Sequence, residues 1–295
     1  MSQVRIPEHL AEAARTFVES DRQPATPRDA ATVMLLRPAT AGFEVYMLRR
    51  QPSMEFAPGA CVFPGGSVDQ RDADEEVAWT GPGVDHWGQV FDAPPELARA
   101  LVCAAVRETF EESGVLLAGP EASPADLVRD GAGLAGDRRA LLAGTASLGE
   151  VLTRRGLAVR ADLLTPWARW ITPEASPRRF DTWFFAAALP PGQTAIAAPE
   201  GDADPGESES GMWLRPAAAL EAAEAGEITL LPPTAVTLGE LAGHQDVAAI
   251  LARRPVIAPR LPKVIVEDGQ ARLALPQTGP QTGPQSGPPS GGERA

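Results

Sequence analysis

Apolar and polar positions along this chain fall into blocks with two different periods. Arg28 to Pro38 carries Ala-Ala-Thr-Val-Met-Leu-Leu through its middle, a near-continuous apolar run that predicts a buried strand. Gly42 to Arg50 (Gly-Phe-Glu-Val-Tyr-Met-Leu-Arg-Arg) alternates well enough for a second strand, joined to the first by a hairpin across Pro38 to Gly42. Ala60 to Phe63 reads as a third short strand, cut off by Pro64-Gly65-Gly66. The period then changes. Glu96 to Ser113 places Leu97, Leu101, Ala104, Ala105 and Phe110 at helical spacing among good helix formers, and Gly114 supplies a stop signal. Val115 to Leu117 starts another strand.

The remaining blocks extend this alternation of strands and helices. Pro124 to Arg155 predicts helix in two or three pieces, broken near Gly131, Gly136 and Gly144. Strands follow over Trp167 to Thr172, Phe180 to Leu189 and Gly211 to Leu214, with an acidic Pro/Gly-containing loop from Pro190 to Gly206. Helices are expected over Pro216 to Ala225, from Pro232-Pro233 to Leu241, and over Val247 to Arg253, then a final hairpin of Val264 to Val266 with Ala271 to Leu275. The domain expectation is a helical segment over 1–27, containing an amphipathic helix from Pro7 to Val18, and a catalytic domain over 28–245. That domain has an ordered acidic insertion at about 67–95, carrying a small helix, and a helical insertion at about 120–160. A C-terminal extension covers 246–275. From Pro276 the chain repeats Gln-Thr-Gly-Pro and has almost no apolar content, so 276–295 is expected to be a disordered Gln/Gly/Pro-rich tail.

Composition narrows the chemistry. The chain has 295 residues, 44% of them hydrophobic, enough for a substantial core. The formal net charge of −13 disfavours nucleic acid and anionic membranes as partners. A phosphate-bearing small molecule escapes that argument, because a bound metal inverts the local field. Lys263 is the only lysine, so nearly all fixed positive charge is arginine. Arginine suits bidentate phosphate contacts, though compositional bias explains the pattern equally simply. Cys61 and Cys103 sit in apolar surroundings with no CxxC, which reads as two buried, reduced thiols and a cytoplasmic protein. No apolar run approaches the roughly 20 residues of a membrane helix, and Met1 to Ser20 shows no signal-peptide pattern.

The informative constellation is Arg107-Glu108-Thr109-Phe110-Glu111-Glu112-Ser113-Gly114-Val115. On a helix, Glu108, Glu111 and Glu112 stand at i, i+3 and i+4 and share one face. Three carboxylates so close repel each other, and a divalent cation removes the conflict. An all-oxygen donor set points to magnesium or manganese rather than zinc. A solvated acidic helix face is the competing explanation for the glutamates alone. The preceding Phe63-Pro64-Gly65-Gly66 shifts the balance, since glycines let a backbone carbonyl approach a metal. Other chemistries fit poorly. His9, His86 and His244 are isolated, no Gly-Lys-Ser/Thr phosphate loop exists, and Gly206 to Gly211 fails the Gly-x-Ser-x-Gly spacing of a nucleophile elbow.

Arg-Glu-x-x-Glu-Glu-x-Gly-apolar after Gly-Gly resembles the box of the Nudix family, whose members cleave nucleoside diphosphates linked to another group. The family pattern is a glycine, five residues, a glutamate, seven residues, then Arg-Glu-apolar-x-Glu-Glu-x-Gly-apolar. The second half fits from Arg107 to Val115, with Thr109 in the apolar slot. Counting back from Arg107, the slot for the first glutamate holds Arg99, and the first half fits through Gly66 alone. The gap from Gly66 to Arg107 is 27 residues longer than the pattern, so the box is expected to be split by an insertion from about Ser67 to Pro95. A split box resembles the peroxisomal coenzyme A diphosphatase-like branch, as do Phe56 to Gly66, Pro177 to Phe185 and Leu231 to Thr234. The coenzyme A signature of the wider family, Leu-Leu-Thr-x-Arg-Ser/Ala, three residues, Arg, three residues, Gly, three residues, Phe-Pro-Gly-Gly, matches at Arg50, Gly59 and Phe63 to Gly66. Gln51 stands in the Ser/Ala slot, and Glu55 replaces the second arginine and reverses its charge.

The resemblance implies an α/β fold, the Nudix-type α/β/α sandwich with mixed sheet, a helical insertion and a C-terminal helical extension. It implies a magnesium-dependent diphosphatase, with manganese as the alternative metal, acting on coenzyme A or an acyl derivative. ADP-ribose, NADH or a nucleotide sugar are the alternative substrates, and a non-catalytic ligand-binding module on the same fold is the rival class. By the same resemblance Glu108, Glu111 and Glu112 coordinate the metal with the carbonyl of Gly65 or Gly66, and Arg107 orients a glutamate. The general base is one of these glutamates or a later carboxylate, Glu207 or Glu209, which would then also be metal ligands. Arg49 and Arg50, or Arg178 and Arg179, are candidates to hold phosphate, with ordinary surface roles equally open for each pair. The expected partner is a small-molecule nucleoside diphosphate, with neither nucleic acid nor membrane; a homodimer is left open.

Overall fold

The computed structural model describes residues 3–5, 15, 17, 23–51, 59–74, 77–197, 210–267 and 270–275. Strands among them are β1 (Gln3–Arg5), β2 (Arg28–Pro38), β3 (Phe43–Arg49), β4 (Ala60–Val62), β5 (Gly65–Ser67), β6 (Trp79–Thr80), β7 (Ala118–Pro120), β8 (Leu157–Arg160), β9 (Thr165–Ile171), β10 (Phe180–Ala188), β11 (Ser210–Leu214), β12 (Thr229–Leu230), β13 (Pro259–Arg260), β14 (Lys263–Glu267) and β15 (Gln270–Ala274). Helices are α1 (Gln70–Asp74), α2 (Val84–Phe91), α3 (Pro95–Ser113), α4 (Ala135–Leu142), α5 (Leu148–Arg155), α6 (Pro216–Glu224), α7 (Pro232–Ala242) and α8 (Val247–Leu251). The expected helix from Pro7 to Val18 lies outside the described residues, apart from the helical Arg15 and Phe17, and so does the tail from Pro276.

A mixed sheet in the order β12-β4-β3-β2-β10-β9-β13 forms the centre, with β11 added on β3 and β5 on β2. The hairpin between β2 and β3 forms as expected, pairing Pro38 with Phe43. Strand alternation divides the core into two layers. Ala31, Val33 and Leu35 of β2, with Trp183, Phe185 and Ala187 of β10, face α2, α3 and the insertion. Met34 and Leu36, with Phe184 and Ala186, face α6, α7 and α8. The result is the expected sandwich. After α8 the extension turns to strands: β13 joins the central sheet, and β14 pairs with β15, which also takes up β1 from the far N-terminus.

Four local expectations change. Pro64 interrupts the chain only briefly, because Gly65–Ser67 resumes as β5 and pairs antiparallel with Ala30–Thr32. Glycine is needed there, since a Cβ on Gly65 would overlap the Ala31 carbonyl oxygen. Val115–Leu117 is not a strand. The side chain of Gln193 takes the place of a strand partner, its Nε2 donating to the Leu116 carbonyl (2.9 Å) and its Oε1 accepting from the Leu116 N–H (2.9 Å). Pairing begins at β7, in a small sheet with β8, an unexpected strand, and β6. Residues 124–131 are not helical, and Gly136 lies inside α4 rather than at a break. Gly131, packed against the Gly114 carbonyl, precedes the first helical turn at Ala132 rather than interrupting a helix, whereas the break at Gly144, φ +64°, is real. Cys61 and Cys103 are both buried and neither is in a disulfide, and no helix among the described residues is long and apolar enough to cross a membrane.

Candidate active site

Helix α3 carries the site. Pro94-Pro95 opens it, where a missing N–H costs nothing, and Gly114 closes it in the left-handed conformation, φ 71°. Leu101, Val102, Ala105, Val106 and Phe110 bury its inner side, which fixes Arg107, Glu108, Glu111 and Glu112 toward β5. Thr109 fits the box's apolar slot although polar: it is fully buried, and its hydroxyl donates to the Ala105 carbonyl one turn back (2.7 Å).

Arg107 organises the carboxylates. Its Nη1 donates to Glu108 Oε1 (2.8 Å) and Glu111 Oε2 (3.1 Å), and its Nη2 to the Ser67 carbonyl (2.9 Å). On its other edge Nε and Nη2 grip Asp72, at 3.0 and 2.8 Å. Only 9% of Arg107 and 4% of Asp72 is exposed. Burial alone would lower the Arg107 pKa; the hydrogen bonds it donates to Asp72 and the charges of Glu108, Asp72 and Glu111 outweigh it and hold the pKa above the ordinary arginine range. This guanidinium therefore neutralises part of the repulsion among the glutamates.

Asp72 is the residue the sequence reading missed, and it revises where the box is split. Five residues separate Gly66 from Asp72, the spacing of the family's first half with aspartate in place of glutamate. Counting forward from Gly66, rather than back from Arg107, would have found it. The extra residues enter after Asp72, not after Gly66. The short helix α1 presents Asp72, whose Oδ2 also accepts the Asp69 N–H (2.9 Å).

Strand β5 closes the other side. The Gly65 N–H donates to Glu112 Oε2 at 2.8 Å. Gly66 lies so close to Glu108 that a Cβ there would overlap its carboxylate. Among the described residues no three acidic, His or Cys side chains form a ready-made metal cage; Glu108 and Glu111 are turned to Arg107, and Glu112 to Gly65. The donor chemistry still fits a hard cation. Glu112 is bound by the Gly65 N–H, Glu108 lies against Gly66, and Glu108 and Glu111 share Arg107 and are each less than 15% exposed, so the donors on offer are oxygens alone.

The arginines divide. Arg49 continues the β3 alternation of Val45 and Met47, which face α6 and α7, and its Nη2 donates to the Glu227 carbonyl (3.1 Å), so the structure does not bring it to the glutamates. Arg50 follows the strand, its N–H bonded to the Ala60 carbonyl. Arg179 is buried, and its guanidinium is engaged with the carbonyls of Thr172 (3.0 Å) and Ala25 (2.8 Å), a structural role rather than a phosphate site. The Arg178 carbonyl accepts from Ser176 Oγ in the same turn. Glu55, Glu207 and Glu209 lie outside the described residues.

Known proteins resemble this chain in sequence and in fold. The NUDT19 Nudix domain family model matches residues 84–241, over half of the chain. Human acyl-coenzyme A diphosphatase NUDT19 is 32% identical over 251 residues, covering 72% of this chain and 64% of the relative. The putative nudix hydrolase 7 of Caenorhabditis elegans is 31% identical over 74% of this chain and 62% of its own length. The crystal structure of a Nudix hydrolase from Alicyclobacillus acidocaldarius superposes with a TM-score of 0.61 at 26% identity, over 79% of this chain and 98% of that one. The chain belongs to the Nudix hydrolase family. Within it, the chain falls in the group defined by the NUDT19 Nudix domain, and it spans under two thirds of the length of the human and nematode relatives.

Proposed function

We propose that this protein hydrolyses the diphosphate linkage of coenzyme A or an acyl-coenzyme A with the help of magnesium. The observation that carries the reading is Glu112 bound by the Gly65 N–H and Glu108 beside Gly66, with Glu108 and Glu111 gathered by Arg107 and Asp72 behind it. Similarity to acyl-coenzyme A diphosphatases supports the substrate class.

Glu108, Glu111 and Glu112, with the Gly65 carbonyl, would hold the magnesium ion. When bound, that ion neutralises diphosphate charge and lowers the pKa of a coordinated water. The chain's own groups do the rest. Arg107 binds Glu108 and Glu111 and aims them. The Gly65 N–H fixes the rotamer of Glu112. The absence of side chains on Gly65 and Gly66 leaves the backbone open beside the carboxylates. Arg50 and Arg178 remain the candidates to anchor the substrate phosphates.

The test is a panel of coenzyme A, acyl-coenzyme A, ADP-ribose, NADH and nucleotide sugars, with and without magnesium, products identified by mass. The reading expects magnesium-dependent cleavage into two phosphate monoesters, with the coenzyme A compounds preferred. Preference for ADP-ribose, NADH or a sugar would move the substrate assignment. Binding without any product across the panel would leave a non-catalytic module.

A further inference from the structure

The last turn of α3 carries Glu111 and Glu112, and the carbonyls of a helix's last turn have no partners within the helix. Here they are satisfied by the capping residue Gly114 and from elsewhere in the chain. The Phe110 carbonyl accepts from Gly114 N (2.9 Å) and the Ser113 carbonyl from Ile196 N (2.8 Å). The Glu111 carbonyl accepts from Nε of Arg138 (2.9 Å). Nη2 of the same guanidinium donates to the Ile196 carbonyl (2.9 Å), and its Nη1 lies close beside Gly114, where a Cβ would meet it at 3.0 Å.

Arg138 belongs to α4, in the helical insertion, and that helix is anchored independently. Its neighbour Asp137 is buried and accepts from Arg154 (2.6 Å) and Arg155 (2.9 Å) of α5. Gln193 adds a second tie, bonding Leu116 and the Val128 carbonyl (2.8 Å). The insertion is thus built onto the end of the glutamate-bearing helix. A cation at a helix C-terminus is also favourable to the helix dipole.

We infer that Arg138 is a positioning residue for the diphosphatase reaction: by binding the Glu111 and Ile196 carbonyls together, it sets the last turn of α3 and so the placement of Glu112 against Gly65 and of Glu111 against Arg107. The inference rests on the functional reading above. Lysine keeps the charge but lacks the planar fork that reaches two carbonyls at once. A displacement of even about 1 Å in a reacting group can cost on the order of 100-fold in rate.

The chain supplies its own reporter. Tyr46 is the only tyrosine, is buried on the α3 side of the sheet, and feels the charges of both Arg138 and Glu112. Fluorotyrosine labelling therefore gives one fluorine signal for full-length protein. For Arg138→Ala, kcat on acyl-coenzyme A is expected to fall by about 10- to 100-fold with KM within about threefold. Added guanidinium ion should restore part of that loss, Arg138→Lys should be intermediate, and the fluorine signal should move. The inference is overturned if Arg138→Ala keeps kcat within about twofold, or if guanidinium gives no rescue and the fluorine signal stays in place while activity falls only with the fraction folded. Should the unsubstituted protein cleave no diphosphate, the functional reading fails first. The fluorine signal then still reports whether Arg138 holds the end of the helix.

Discussion

Replacing Asp72 by Asn tests whether the short helix ahead of the insertion is part of the catalytic box. Asp72 and Arg107 are almost wholly buried, and the aspartate takes two of the guanidinium's contacts, at 3.0 and 2.8 Å. Removing one member of a buried pair typically costs about 3–5 kcal/mol, because the survivor stays buried without its counter-charge. Arg107 retains Ser67, Glu108 and Glu111, so the expected cost is lower, about 2–4 kcal/mol. Urea unfolding reads it as a lower midpoint at constant slope. Asp72→Glu, which restores the residue of the family pattern, should recover most of the loss. Combined with Arg107→Gln in a double-mutant cycle, Asp72→Asn should show a coupling of at least about 1 kcal/mol. A cost below about 0.5 kcal/mol with no coupling would show that the pair does not brace the site.

Gly66→Ala places a Cβ against the Glu108 carboxylate; turnover should fall by about 100-fold while the unfolding midpoint changes little, and full activity would refute the close approach. Tyr46 gives the pH dependence. Burial, with a smaller contribution from Glu112 and against that of Arg138, pushes its phenol up from 10.0 to about 12. The folded state thus keeps a proton that the unfolded chain gives up, so this contribution to stability is complete below pH 10 and is lost as pH rises to about 12. The loss should amount to about 2–3 kcal/mol. It is absent in Tyr46→Phe, and phenolate absorbance near pH 10 in the native protein would contradict it.

Much of the fold was legible because period and punctuation agree. The apolar run of β2, the helical spacing of α3 and its Gly114 stop all appear where the sequence places them. Failures occurred where a non-local partner decides the backbone. Val115–Leu117 has strand composition, yet a side chain 77 residues away fills the hydrogen bonds of Leu116. Gly65–Ser67 has loop composition, yet β2 captures it. The glutamates were legible because three of them repeat on one helix face. Asp72 was not, since its meaning depends on Arg107 lying across an insertion. Neither was Arg138, one arginine among many until α5 fixes its helix. The separation of Arg49 from the site follows from strand parity, which the sequence contains, but assigning the faces required knowing which layer holds α3.

The most direct test of the central claim compares the unsubstituted protein with Glu112→Gln on acyl-coenzyme A and magnesium, with products weighed and folding checked by thermal unfolding. The account predicts two phosphate monoesters, one carrying the adenosine half and one the pantetheine half, from the unsubstituted protein, and a loss of at least about 1,000-fold in Glu112→Gln with the fold retained. Equal turnover by both proteins would contradict it.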